Sequence, residues 1–222
     1  MIGGVEWRVE AEPVDYPDAI ATMDTRVAAI RAEAAPELIW LVEHPPLYTA
    51  GTSANVTELL DPGSFPVFAT GRGGRYTYHG PGQRIVYVML DLGARGRDLR
   101  RFVAAIEDWI VRTLREVGVE AVTVPDRIGV WVGSGKDQAK IAALGIRVSR
   151  WVSFHGFAIN VAPDLRHFDG IVACGLSEYR ATSLAQIGIR AGLEAVDLAL
   201  YRAFPGFLQQ LDDALPGLIN AA

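Results

Sequence analysis

One cysteine, two lysines and no long apolar run are the first constraints this 222-residue chain sets on itself. A lone Cys174 excludes an internal disulfide framework and makes a cysteine-built zinc site a poor expectation. It suits a reducing, cytoplasmic setting. No apolar stretch approaches the ~18 residues a membrane span needs. The N-terminus lacks a basic region followed by an apolar one, so no secretory signal is expected. A net charge of −5 argues against a general nucleic-acid binder. Familiar motifs are missing too. No helical HExxH and no glycine-x-serine-x-glycine occurs. Gly71-Arg72-Gly73 would need a third glycine where Tyr76 stands, and Gly133-Ser134-Gly135-Lys136 lacks the first glycine and the hydroxyl residue of a phosphate loop. Metal and dinucleotide chemistry are therefore not expected.

What is present is a soluble-type composition, 50% apolar and 21% charged, sufficient for a sizeable core in a single domain over 1–222. The basic side is almost all arginine, which leaves Lys136 and Lys140 as the two residues able to lose a proton when their surroundings demand it. The densest segment is 72–83. Four glycines and a proline there enclose Arg72, Arg75, Tyr76, Tyr78, His79 and Gln83. Glycine lets a backbone turn sharply or lie against a ligand, so this segment reads as a binding wall; the plainer reading is a glycine-rich hairpin. It runs into an apolar stretch, 85–90, of strand length.

Ile20, Met23, Val27 and Ile30 recur at helical spacing and predict a helix over about 17–34. Residues 38–42 read as a buried strand halted by Pro45-Pro46. Leu99, Phe102, Val103, Ile106, Ile110, Leu114 and Val117 mark a second helix between an Asp98 cap and a Gly118 stop. Strands are expected over 128–132, 140–148 and 151–161, then helices over about 184–189 and 193–211 with a break at Pro205. Without regular βαβ alternation the fold class is α+β: helices packed on a mixed, mostly antiparallel sheet.

Cys174 closes the apolar run 171–174, where an inert buried thiol and a reactive one are both open readings. Here the chain resembles the octanoyltransferase family, also called lipoyl(octanoyl) transferases. Arg72 to Tyr87 matches the family signature of Arg-Gly-Gly, two free positions, Thr-aromatic-His, then Gly-Gln and a tyrosine. His44 to Gly51 resembles the upstream block. Lys140 to Arg147, Phe154 to Asn160, Cys174-Gly175-Leu176 and Thr182-Ser183-Leu184 resemble the later blocks in order. One position departs: Ala173 stands where the family commonly has proline.

The resemblance implies a fold related to the catalytic domains of biotin and lipoate protein ligases. It implies transfer of an octanoyl or lipoyl group from acyl carrier protein to a specific lysine of lipoyl domains, in 2-oxoacid dehydrogenase complexes and the glycine cleavage H protein. No cofactor, nucleic-acid partner or membrane is expected, and a monomer is expected. The nucleophile falls on Cys174 and its partner on Lys140. The substrate-binding segments fall on Arg72, Gly73, Gly74, Arg75, Tyr76, Thr77, Tyr78 and His79, on Ala143, Leu144 and Gly145, and on Gly156, Phe157 and Ala158. Small residues at 142, 143, 145, 156 and 158 would leave room for an acyl chain. An ordinary lysine is protonated at pH 7, and a cation beside sulfur favours the thiolate. Lys136 reads as solvated, His155 and His167 as structural, His44 as pocket rim. Arg95, Arg97, Arg100 and Arg101 form a candidate docking rim for an acidic carrier protein. The nearest rivals are an ATP-dependent ligase on the same fold, an amidotransferase between lipoyl domains and a silent binding module.

Overall fold

A computed structural model describes residues 1–172 and 180–213. In chain order the elements are β1 (Glu6–Val9), α1 (Tyr16–Arg31), β2 (Leu38–Val42), β3 (Leu47–Ala50), β4 (Val67–Ala69), β5 (Tyr76–His79) and β6 (Gln83–Met89). Then follow α2 (Leu99–Glu116), β7 (Val122–Val124), β8 (Arg127–Val132), β9 (Ala139–Ser149), β10 (Val152–Asn160) and α3 (Leu193–Asp212). Seven strands make the main sheet in the order β1-β2-β6-β10-β9-β8-β7, with only β1 and β2 parallel among its pairs. β4, β3 and β5 form a second, three-stranded sheet.

Strand alternation explains why β2, and β6 from Ile85 onward, are continuous buried runs. Ile39, Leu41, Val86 and Val88 pack with α2 and α3, whereas Leu38, Trp40, Val42, Ile85, Tyr87 and Met89 pack with α1. A sheet buried on both faces needs no polar register, hence the continuous runs. On α2 the stripe Phe102, Ile106, Trp109, Ile110 and Leu114 is wholly buried. The Trp109 ring stacks on Phe207 of α3 at 4.8 Å, and its indole N–H donates to the Leu200 carbonyl at 3.0 Å. Truncating such a residue to alanine costs about 3–5 kcal/mol. Asp98 caps α2 as its position predicts, accepting from the Arg101 N–H at 3.0 Å, and Gly118 ends it at φ 86°.

Two expectations fail. Residues 184–189 make one turn, not a helix: the Ile189 N–H bonds to the Leu184 carbonyl and the Gly188 N–H to that of Ala185, with Gly188 at φ 83°. That 6→1 and 5→2 pair is a Schellman closure, which terminates the turn as soon as it forms. Nor does Pro205 break α3, which runs through it. Pro205 and Tyr201, whose carbonyl loses its helical partner, are both exposed residues, so the interruption falls on the outer face of the helix and not in the core.

Candidate active site

The ladder between β8 and β9 extends only to Val130 opposite Ala142, so β9 continues past its neighbour. The wall segment takes over there: the Gly73 N–H donates to the Ile146 carbonyl at 3.0 Å. Where the sheet edge changes owner lies a cavity of about 600 Å³. Arg72, Gly73, Gly74, Arg75, Thr77 and His79 line one side of it. Ala143, Leu144 and Gly145 of β9 and Gly156, Phe157 and Ala158 of β10 line another, and Lys140 stands among the remaining lining residues.

β5 splits the predicted wall by strand alternation. Thr77 and His79 face the cavity, but Tyr76 and Tyr78 turn away from it into a small cluster with Tyr48 and Ile171. The Tyr78 hydroxyl bonds His167 Nδ1 at 2.8 Å, which makes both structural. The expectation that these two tyrosines line the substrate wall is thus corrected by the period of two.

Arg72 holds the wall in shape. Its buried guanidinium donates to the Gly73, Thr49 and Arg75 carbonyls at 2.9, 3.0 and 3.0 Å and to Thr49 Oγ1 at 2.6 Å. Not all the small residues make space. A Cβ on Gly156 would meet the Val86 carbonyl oxygen at 1.9 Å, and one on Gly145 would meet Arg72 Cδ at 2.6 Å. Those glycines serve close backbone and side-chain approach, whereas Ala143 and Ala158, paired across the ladder, border open volume.

Two imidazoles, His79 and His155, line the cavity. Burial first, and then the neighbouring His44 and Arg72, push His79 down to about 3. Burial and then Arg72 and Arg147 push His155 down to about 4. Gln83 donates its amide N–H groups to the Tyr78 carbonyl and to Asn160 Oδ1, so its oxygen accepts from His79 Nδ1 at 3.1 Å. His79 Nε2 is therefore an acceptor. His44, expected at the rim, is fully buried behind the wall: Nδ1 donates to the Val14 carbonyl at 2.5 Å and Nε2 accepts from the Tyr87 hydroxyl at 2.6 Å. His155, expected to be structural, lines the cavity, as do Tyr16 and Tyr87. Position 155 had a signal, since it abuts Gly156 in one motif block; Tyr16 had none.

The Lys140 ammonium donates to the Ile128 carbonyl at 3.1 Å and lies 4.8 Å from the Trp131 ring centroid, an arrangement that suits a cation. Its backbone binds the strand-like segment 180–182: the Lys140 N–H donates to the Arg180 carbonyl and the Thr182 N–H to that of Lys140, each at 2.9 Å. Cys174 and its neighbour Ala173 lie outside the described residues. Val172 is anchored by its N–H to the Glu58 carbonyl at 2.7 Å, and Glu58 pairs with Arg75 of the wall. Lys136 is exposed on a turn, as expected. The arginine rim is largely engaged elsewhere. Arg95 pairs with Glu37, Arg101 caps the Gln210 carbonyl of α3, and Arg97 sits 5.9 Å from the Trp151 ring.

The fold is that of the lipoate and biotin ligases. A chain from the structural analysis of an archaeal lipoylation system, a bipartite lipoate protein ligase and its E2 lipoyl domain from Thermoplasma acidophilum, superposes with TM-score 0.69 at 17% identity, over 92% of this chain and 84% of that one. A biotin protein ligase from Aquifex aeolicus superposes with TM-score 0.52 at 11% identity, over 96% and 72%. Sequence narrows the class: residues 15–205 match the model of the lipoyl protein ligase A/B catalytic domain, and the chain belongs to that family. Within it, an octanoyltransferase of Rhizorhabdus wittichii is 60% identical over 207 residues, 93% of each chain.

Proposed function

We propose that this protein transfers an octanoyl group from a carrier-protein thioester to a lysine of a lipoyl domain, with Cys174 as nucleophile and Lys140 as its cationic partner. The observation that carries the reading is Lys140 itself. It stands on the border of an apolar-walled cavity, and its backbone is bonded to Arg180 and Thr182, the residues at which the chain returns from the Cys174 segment. Fixing Arg180 there brings a residue six positions from the thiol to the lysine, although 34 positions separate Cys174 from Lys140 in the sequence.

In the first step Cys174 Sγ bonds to the donor carbonyl carbon and the donor C–S bond breaks. The departing carrier thiolate takes up a proton. In the second step the acceptor amine attacks the Cys174 thioester, an amide forms, and the cysteine leaves as a thiolate. Lys140 as an ammonium stabilises the attacking thiolate and gives its proton to the departing carrier sulfur; as a neutral amine it then takes the proton that the acceptor amine sheds, and the ammonium so regenerated stabilises the leaving Cys174 thiolate. Thioester exchange is nearly neutral and amide formation is downhill, so no nucleotide is consumed. Seven buried carbons offer up to ~5 kcal/mol of apolar transfer toward binding before costs. Neutral His79, with Nε2 as an acceptor, completes the polar end of the slot.

Mixing the protein with octanoyl-acyl carrier protein, without ATP, and reading intact mass is the test. One octanoyl increment is expected, lost in Cys174→Ala and transferred to an added lipoyl domain in a chase. An absolute need for ATP would point to a ligase, and absence of any adduct would sink the cysteine mechanism.

A further inference from the structure

β8 carries a bulge beside the lysine. Its pairing with β7 passes from Thr123 opposite Val130 to Val124 opposite Arg127, stepping over Ile128 and Gly129. Its pairing with β9 runs from Val130 to Val132. The peptide unit joining Ile128 to Gly129 thus stands outside both registers, and its two polar atoms turn to side chains. The Ile128 carbonyl accepts from Lys140 Nζ at 3.1 Å; the Gly129 N–H donates to Glu107 Oε1 of α2 at 2.8 Å. One planar amide therefore connects a carboxylate to an ammonium. A carboxylate on the N–H side polarises the unit and strengthens its carbonyl as an acceptor for the cation.

The geometry at Gly129 fits this connection. Its φ of 120° is closed to other residues, and a Cβ would stand 2.8 Å from the Ala142 carbonyl oxygen and 3.2 Å from Lys140 Cε. Only glycine lets the lysine stem lie across the bulge. Burial raises the Glu107 carboxyl, while the Gly129 bond and the Lys140 charge lower it. The other charged groups nearby are Arg127, 5.3 Å from the same Trp131 ring, and Asp126, which lines the cavity.

We propose that Glu107 is a positioning residue for acyl transfer, fixing the Lys140 ammonium through the Ile128–Gly129 amide. This rests on the reading that Lys140 partners the Cys174 thiolate. Without Glu107 the amide is free to rotate, the ammonium loses its acceptor, and sulfur loses a cation held in place.

Because the chain has a single cysteine, iodoacetamide alkylation reports on that thiol alone. The rate is measured from neutral to alkaline pH in the full chain and in Lys140→Met, Glu107→Ala, Glu107→Gln and the Glu107→Ala/Lys140→Met pair. Lys140→Met should move the midpoint up. Glu107→Ala should move it the same way by less, and Glu107→Gln, which still accepts from Gly129, less again. The double variant should match Lys140→Met alone. In steady state Glu107→Ala should lower kcat about tenfold, the scale of a hydrogen bond to a charged group, with the donor KM unchanged. A Glu107→Ala shift that persists in full without Lys140, or no shift where Lys140→Met gives one, overturns the positioning role alone. An unchanged profile in Lys140→Met overturns the lysine–thiol pairing, and the positioning role with it. The glutamine variant preserves size and the Gly129 bond, so its result stands should the alanine variant fold poorly.

Discussion

His79 and His155 are histidines whose chemistry the fold changes strongly. His155 is buried and His79 partly so, the Arg72 guanidinium acts on both, and they are pushed down to about 4 and about 3 from an ordinary 6.5. The folded chain thus binds fewer protons than the unfolded one below pH 6.5. The resulting stability is fully present above that value and is lost as pH falls toward the folded values. At pH 5 each histidine should have given up about 2 kcal/mol. His155 also holds φ 59°, a conformation asparagine tolerates. In His155→Asn the drop in urea midpoint between neutral pH and pH 5 should therefore shrink measurably. An undiminished drop would mean that His155 titrates normally in the fold. Arg72 makes the companion case. Arg72→Lys keeps the charge but cannot reach four acceptors at once, and leaving buried carbonyls unpaired should cost about 2–4 kcal/mol in chemical denaturation.

Elements differ in how openly the sequence announces them. β2 was predicted at its observed bounds, 38–42, because a fully buried strand is all apolar and paired prolines stop it. α2 was legible from its stripe and both ends. The turn at 184–189 was not, because apolar spacing over six residues is compatible with a helix too short to sustain itself, and only the Gly188 closure decides. In the site, glycine-rich motifs pointed to the wall. Alternation then divided it, sending Tyr76 and Tyr78 to the other face. Glu107 was invisible, since nothing in α2 reveals that its carboxylate meets a bulge on β8. The break expected at Pro205 fails for a related reason: a proline within a helix costs less where the orphaned carbonyl lies on the exposed face. Tyr201 and Pro205 both lie on the exposed face, yet the helix still lacks one bond. Pro205→Ala should restore it and stabilise the protein by about 1–3 kcal/mol, measured as a raised thermal midpoint. A lowered midpoint would show that the proline ring packs usefully.

Taken as a whole, the molecule joins two sheets at an unfinished edge. The main sheet supplies β9 and β10, the smaller sheet supplies β5, and the wall segment bridges them through Arg72 and the Gly73–Ile146 bond. A slot made by two sheets has dimensions neither sets alone, so its length is tunable from one side. Ala143 is the position to use. It is partly exposed, lines the cavity, and lies three residues along β9 from Lys140, about 10 Å at strand rise. With the acyl carbonyl held at the lysine, a larger side chain at 143 obstructs the tail rather than the reacting atoms. Ala143→Leu should therefore lower kcat/KM for octanoyl donors about tenfold or more relative to butanoyl donors, the range a pocket achieves by excluding methylenes. Thermal stability should change little, because the added group enters open volume and not packed core. An equal loss for every chain length would place the tail elsewhere in the cavity. A large loss of stability would mean that Ala143 is part of the core.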